Sequence, residues 1–372
     1  MVIEGTNVMT KKTKRTIIWS AAAVFIIILS IAAWYFIAIY NQVNNFHKVG
    51  ENSPFHQIAP TETKVNSPPK WEGTERVNIL MMGVDARGLK KGEIPRSDTM
   101  LVASIDPVQK KGYLFSIMRD TYVDIAGQKK QDRINTAITH GPESAMQTAS
   151  DLLGIPIQYY VYTDFQGFIA LVDAVGGVDF NVEKDMHYVS AADKHEYDID
   201  LKKGMQHLDG KTALQYVRFR HDAMSDFTRT ERQRNFLKAV AEKMKTTTSI
   251  MNLPGILEKI NPYIDTNMTV NDMWKLASVG YDSQMNGSEQ IPPMSLLVEK
   301  NTSAGAVLGV SSEKKLKEYV QDVLNGTKED NKGTKDAKEG TKDTENTKDT
   351  KDSKSGSASG SQTSDNKSSA AK

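Results

Sequence analysis

Between Thr16 and Tyr40 the chain carries no charged residue. The run, TIIWSAAAVFIIILSIAAWYFIAIY, restricts the fold more than any other segment, because a helix built from it is apolar on every face. At about 1.5 Å per residue, about 20 residues cross a hydrocarbon core of about 30 Å, so the run can span a bilayer with some tilt. Trp19 near one end and Trp34, Tyr35 and Tyr40 near the other stand where amphipathic rings favour the headgroup zone. A buried core helix is the plainer alternative, and the all-round apolarity argues against it. A cleaved signal peptide would have a shorter apolar region, about 7–15 residues, ending at a small-residue site. Here Asn41, Gln42, Val43 and Asn44 follow instead, so an uncleaved anchor is expected. Lys11, Lys12, Lys14 and Arg15 crowd the N-terminal flank, whereas His47 and Lys48 lie further from the run on the other side. The positive flank stays in the cytoplasm. The expectation is therefore residues 1–15 inside, 16–40 in the membrane and the rest outside, a single-pass type II arrangement.

Beyond the anchor, residues 41–70 are polar and carry Pro54, Pro60, Pro68 and Pro69, which reads as an extracytoplasmic stalk. Residues 71–325 are long enough to bury a substantial core as one domain. From Gly326 the composition narrows to Lys, Asp, Gly, Ser and Thr in repeats such as GTKDAKEGTKD. Such a stretch has almost nothing to bury, and 326–372 is expected to remain a disordered, solvated tail. The chain has no cysteine, which excludes disulfides, thiolate metal sites and a thiol nucleophile. A net charge of +1 gives no bulk attraction to nucleic acid, and none is expected as a partner.

Within 71–325, short apolar runs alternate with helical spacing. Val77–Val84, Thr99–Ile105, Tyr113–Met118, Gln158–Tyr162 and Val178–Val182 read as strands. Glu143–Leu153, Phe165–Val175 and, most clearly, Arg229–Lys245 read as helices; Phe236, Leu237, Val240, Ala241 and Met244 share one face of the last. Interleaved strands and helices predict an α/β sheet covered on both sides.

Arginine and aspartate collect around the strand ends. Asp85 and Arg87 follow the first strand, Arg96 and Asp98 precede the second, and Arg119 and Asp120 follow the third. Arg218, Arg220, Asp222, Asp226, Arg229, Arg232 and Gln233 come later. Loops leaving strand ends are common ligand sites. In an extended segment Arg218 and Arg220 face the same way and repel unless an anion lies between them; two solvated surface arginines would show the same spacing. Thr228 and Glu231 have capping-box spacing, which puts Arg229 and Arg232 in a first helical turn, where the helix dipole already disfavours cations. Free helix NH groups with two arginines suit an anion. Asp85 and Asp98 suit a divalent cation only if a polyanion completes its shell; alone, they are ordinary turn or capping residues. His221 beside Arg220 is placed for proton transfer or for a plain surface role.

In order and spacing, NILMMGVDAR (78–87), RSDTMLVASIDP (96–107), SIMRDTYVDI (116–125), RINTAITHG (133–141), LVDAVGGVDFNV (171–182), GMQHLDGKTALQYVRFRHD (204–222) and DFTRTERQRNFL (226–237) resemble the LytR-CpsA-Psr family, cell-wall polymer ligases of mostly Gram-positive bacteria, and within it the wall teichoic acid transferases of Bacillus type. This resemblance implies a three-layer α-β-α sandwich around a mixed, largely antiparallel sheet. It implies transfer of an anionic glycopolymer from a polyprenyl pyrophosphate carrier to a muramic acid hydroxyl of peptidoglycan, with polyprenyl phosphate leaving. By motif, Asp85 and Asp98 match the aspartates linked to Mg²⁺ (or Mn²⁺), Arg119 the essential arginine, and Arg218, Arg220, Arg229 and Gln233 the pyrophosphate-binding set, with Arg96 and Arg87 at less defined positions. Thr228 stands where the family often has Gly, and Arg133 where it often has Lys. Any of Asp85, Asp98, Asp222 and Asp226 is eligible as general base. The lipid needs an apolar groove, for which Phe165–Val175 is a candidate. The same groups would also serve a hydrolase acting on the lipid-linked glycan, and a non-catalytic envelope sensor or regulator is a third reading.

Overall fold

A computed structural model describes residues 10–327 except 47, 49–52, 57, 59–64, 66, 67, 91, 190–194, 196, 197 and 222–225. Nearly half of the stalk, most of the tail and Asp222 thus lie outside the described residues.

Helix α1 (Lys11–Asn44) contains the whole apolar run and extends four residues beyond it. The central sheet is built from β1 (Val77–Val84), β2 (Ser97–Asp106) and β3 (Lys111–Ile117), joined antiparallel in sequence. The chain then leaves the sheet through a small ribbon of β4 (Tyr122–Asp124) and β5 (Gln131–Arg133), a 3-10 turn at Ile134–His140, and α2 (Pro142–Leu153). Pro142 starts α2 and Gly154, at φ +69°, stops it. It returns as β6 (Tyr159–Asp164), parallel to β1, and runs directly into α3 (Phe165–Ala174), whose first turn is capped by Asp164 accepting from the Gly167 NH at 2.9 Å.

The next strand departs from expectation. β7 (Val178–Val182) does not join the central sheet; it pairs with β10 (Gly204–Leu208) in a separate ribbon, beside a second ribbon of β8 (Met186–Tyr188) and β9 (Ile199–Leu201). Gly176 and Gly177, at φ +80° and +72°, turn the chain away after α3. The VDFNV alternation, with Asp179 and Asn181 exposed, suits a strand wet on one face, unlike the continuous apolar runs of β1–β3.

α4 (Gly210–Arg218) and α5 (Asp226–Met244) follow, then two short helices, α6 (Thr247–Met251) and α7 (Leu253–Ile260). The two-residue β11 (Asp265–Thr266) caps one edge of the sheet, α8 (Val270–Asp282) follows, and β12 (Gln284–Ile291) closes the other edge parallel to β3. The polar sequence of β12, QMNGSEQI, carries no strand signature, because an edge strand is half wet. The β13 (Leu297–Thr302)–β14 (Gly305–Val310) hairpin and α9 (Glu313–Asn325) complete the unit.

The sheet order β11-β6-β1-β2-β3-β12 holds three antiparallel and two parallel pairings, the mixed sandwich expected. On one face Leu80, Met82, Val102 and Phe115 pack against α2 and α9. The other face carries α3, α4 and α5, centred on the fully buried Phe236, whose ring lies 5.9 Å from Phe168, 5.3 Å from Phe180 and 6.1 Å from Tyr216. Truncating it removes the contact shared by α3, α4, α5 and β7. Phe236→Ala should lower unfolding free energy by about 3–5 kcal/mol, measured by urea denaturation of the full chain in detergent. A loss below about 1 kcal/mol would show that the wall closes over the gap.

Candidate active site

The register of the sheet builds the floor of a site. Met81 stands opposite Leu101 on β2 and Val161 on β6, and one rung further Gly83 stands opposite Thr99 and Thr163. These two rows, one apolar and one small and polar, line a cavity of about 460 Å³ roofed by α3, α4 and α5. β1, β3 and β6 all end at the polar side, and β2 begins there, so Asp85, Asp98, Arg119 and Asp164 arrive together. Asp98 needs a further device. The β1–β2 register shifts between Gly83 and Val84, which pair with Thr99 and Ser97 respectively and leave Asp98 as the extra residue of a β-bulge. Adjacent side chains in a regular strand point to opposite faces, yet Asp98 and Thr99 both line the cavity; re-aiming a side chain is what a bulge does.

Arg119 follows β3 in a turn fixed by the Thr121 NH donating to the Met118 carbonyl at 3.0 Å. Its Nη1 donates to Asp98 Oδ1 at 2.5 Å, and its Nε lies 3.6 Å from Asp120, which also pairs with Arg133 at 3.1 Å. Burial works against the Arg119 charge, but Asp226, Asp98 and Asp120 outweigh it and its pKa is raised. Asp85 is gripped by Arg87, Nε to Oδ1 at 2.7 Å and Nη2 to Oδ2 at 2.5 Å. Burial would lift its pKa, but the Arg87 bonds prevail and hold it below the ordinary carboxylate value. Arg87 and Arg218 both lie over the ring of Phe165, at 5.5 and 5.1 Å, an arrangement favourable to both cations.

Arg218 ends α4 and Arg220 follows it, with the buried Phe219 between them turned into the core. Both arginines line the cavity although the segment is not extended, since Arg218 is the last residue of α4. Arg220 reaches Asp98 at 3.9 Å and Asp226 at 3.6 Å. Its pKa is lowered, by burial first and then by repulsion from Arg119. Four guanidinium groups (Arg119, Arg218, Arg220, Arg229) thus face three carboxylates (Asp85, Asp98, Asp164) around one space, and an anion placed there relieves their repulsion.

The start of α5 differs from expectation. The helix begins at Asp226, so Thr228 lies inside it and is not its cap. The first-turn acid Asp226 holds Arg229 at 2.8 Å. Arg229 is 3% exposed and lines the cavity. Arg232 turns away, donating from Nε to Glu183 at 2.6 Å and from Nη1 to the Phe219 carbonyl at 3.1 Å, so it braces the loop and takes no part in the site. Gln233, one turn after Arg229, lines the cavity and donates to the Val217 carbonyl at 3.3 Å. Arg229 Nε and Gln233 Oε1 are buried and have no hydrogen-bond partner among the described residues; buried polar atoms are seldom left so, and a bound phosphate and an acceptor hydroxyl are groups that fit them. Burial raises the pKa of Asp226, opposed by Arg220 and Arg119. Arg96 is exposed and does not line the cavity. His221 lines it and stacks on Tyr188 at 4.3 Å.

The other half of the cavity is apolar. Phe165, Phe168 and Leu171 come from α3, Leu214 and Val217 from α4, Leu237 from α5, with Ile199 and Ile264 completing the wall. Of the 165–175 segment, Val172, Ala174 and Val175 are core. Ile199, Leu214 and Ile264 carry no sequence signal that separates a cavity wall from ordinary packing. Gly167 permits α3 to sit this low, since a Cβ there would stand 2.1 Å from Thr163 Oγ1 and 2.7 Å from Tyr263 Cβ. Among the described residues, no three His, Cys, Asp or Glu side chains converge on a metal position.

Such a cavity has the chemistry to take an amphiphile, with arginines for a polyanionic head and an apolar wall between helices and sheet for a tail. The chain belongs to the LytR-CpsA-Psr family, whose profile (LytR_cpsA_psr family) matches residues 34–324. It is 33% identical over 284 residues to the polyisoprenyl-teichoic acid–peptidoglycan teichoic acid transferase TagU of Bacillus cereus, covering 75% of this chain and 87% of that protein. The TagU of Enterococcus faecalis is 33% identical over 256 residues, 68% of this chain and 82% of its own. The crystal structure of Bacillus subtilis TagV superposes with a TM-score of 0.56 at 28% identity, over 68% of this chain and 98% of that one.

Phe165 is the common platform of two site arginines. A cation–π contact is worth about 0.5–2 kcal/mol, so Phe165→Leu should weaken binding of inorganic pyrophosphate roughly 2- to 30-fold by titration calorimetry. Unchanged affinity would show that the ring only packs.

Proposed function

We propose that this chain transfers an anionic glycopolymer, wall teichoic acid foremost, from a polyprenyl pyrophosphate carrier to a muramic acid hydroxyl of peptidoglycan. The observation that carries the reading is the continuity of one cavity from a four-arginine head to an apolar wall. The relatives named as teichoic acid transferases support it. The acceptor oxygen bonds to the phosphorus on the glycan side, the bond from that phosphorus to the bridging oxygen breaks, and polyprenyl phosphate leaves with the electron pair. Charge grows on the leaving phosphate, and fixed guanidinium groups stabilise it without reorganising. Arg119 would flank this position from the end of β3, Arg218 and Arg220 from the end of α4 and the loop after it, and Arg229 from α5.

Asp85 and Asp98 suit Mg²⁺, which typically takes one or two carboxylates together with phosphate oxygens and water. They would hold the ion (or Mn²⁺), and it would supply further neutralisation of the pyrophosphate. Of the described carboxylates eligible to accept the acceptor's proton, all are paired with arginine, Asp85 with Arg87, Asp98 with Arg119 and Asp226 with Arg229, so the pairing does not choose among them; the Arg87 bonds hold the pKa of Asp85 down. Asp226, whose pKa is raised by burial, is best matched to the task. The basic Lys11–Arg15 flank supports an orientation with the N-terminus of α1 in the cytoplasm and the domain outside the cell, where the lipid-linked donor and the wall meet.

Arg119→Ala should abolish polymer attachment by purified full-length protein given lipid-linked precursor and peptidoglycan oligomers, while the protein still folds and reaches the membrane. Full activity in that variant would sink the proposal. The wild-type product separates the alternatives: a phosphodiester-linked polymer marks a transferase, free phosphorylated glycan a hydrolase. Asp226 acts deprotonated, so kcat/KM should fall as pH drops through a value above the ordinary carboxylate pKa. Asp226→Asn should give a low rate with that acid limb removed; an unaltered pH profile would clear Asp226 of the role.

A further inference from the structure

The anchor does not stop at a free spacer. The outer third of α1 lies against the domain: the Tyr35 hydroxyl donates to the Ile250 carbonyl of α6, the Phe36 ring is 5.8 Å from Trp274 of α8, and Asn261 Nδ2, just after α7, donates to the Gln42 carbonyl at 2.9 Å. Ile39, Val43 and Phe46 are buried. Tyr35 is well inside the uncharged run. Counted from Thr16 at about 1.5 Å per residue, it stands about 28 Å along a helix that crosses about 30 Å of hydrocarbon. Ile250, bonded to it, is therefore level with the boundary between acyl chains and headgroups.

The surface at that level is built for such a place. Between Lys245 and Glu258 there is no charged residue, in a chain that is 25% charged, and Ile250 and Met251 are 39% and 73% exposed. The outward residues of α8 are Asn271, Trp274, Ala277, Ser278, Tyr281 and, at its last position, Asp282, which pairs with Lys110 at 2.9 Å; up to Tyr281 that face carries no charge, and its Trp and Tyr stand about two turns apart. Uncharged surface with exposed aromatic rings is favoured at a bilayer interface.

We infer that α6, the start of α7 and the outer face of α8 form a lipid-contacting surface that settles into the headgroup zone of the leaflet holding the outer end of α1. This rests on α1 spanning the bilayer. A second protein seated there would have to lie at the same depth as Tyr35, inside the bilayer boundary, so the lipid surface itself is the occupant. Contact at both α1 and this patch fixes the tilt of the domain. It also puts the apolar half of the cavity beside the bilayer, because Asn261 touches α1 and Ile264, three residues on, lines the cavity.

The absence of cysteine makes the test direct. Three single variants of the full chain, Met251→Cys, Ile27→Cys in mid-anchor and Met294→Cys, carry a nitroxide label in vesicles of phosphatidylethanolamine and phosphatidylglycerol. Met294 is 58% exposed and follows β12, at the sheet edge opposite β11. The expected result is an oxygen-over-nickel-chelate accessibility at Met251 several-fold above Met294 and below Ile27. A Met251 label as aqueous as Met294, with Ile27 in lipid, overturns the surface while sparing the anchor. Spin broadening at Met251 that vanishes on dilution with unlabelled protein would assign the patch to a second copy and also overturn it. An aqueous Ile27 label removes the anchor and the surface together.

Discussion

Four guanidinium groups around one cavity repel one another, and the site depends on how that repulsion is held. Asp98 and Asp226 each serve more than one arginine: Asp98 bonds Arg119 and lies 3.9 Å from Arg220, while Asp226 holds Arg229 and lies 3.6 Å from Arg220. Sharing leaves each arginine partly neutralised, with bonding capacity left for a ligand. Opposite shifts at Arg119 and Arg220 express the same balance, one cation over-supplied with carboxylate and the other lowered by burial and then by its neighbour Arg119.

A cluster of this kind opposes folding, because charges are taken from water with incomplete pairing. The rest of the domain supplies the offset. One sheet face is closed by α2 and α9 into a continuous apolar core, and the other by α3, α4 and α5 around Phe236. The helices that carry Arg218, Arg229 and Gln233 are thus held by packing behind the site, which lets their polar ends be aimed at a ligand.

The anchor enters the same arrangement. Where the proline-rich stretch suggests a spacer with free reach, α1 continues to Asn44 and lies against α7 and α8, so the helix and the domain share an interface. The cavity's distance from the end of the apolar run is then a property of the fold, set through the α7–Ile264 segment.

Much was legible in the sequence because it is local. The boundaries of β1 follow from a short, mostly apolar run, α2 and α3 from helical period, and the long helix α1 from length and lack of charge. The approach of Asp85, Asp98 and Arg119 follows from their position at strand ends. Which charges turn inward could not be read in this way. Arg229 and Arg232 lie on the same helix three residues apart, yet one lines the cavity and the other braces Phe219; Arg96 stays in solvent two residues from Asp98. The bulge that re-aims Asp98, the exclusion of β7 from the sheet and the capture of the polar β12 at its edge are likewise tertiary outcomes. The physical reason is common to all of them. Sequence period fixes which face of an element is apolar, whereas the rotation of a helix and the register of a strand are chosen by partners distant in the chain.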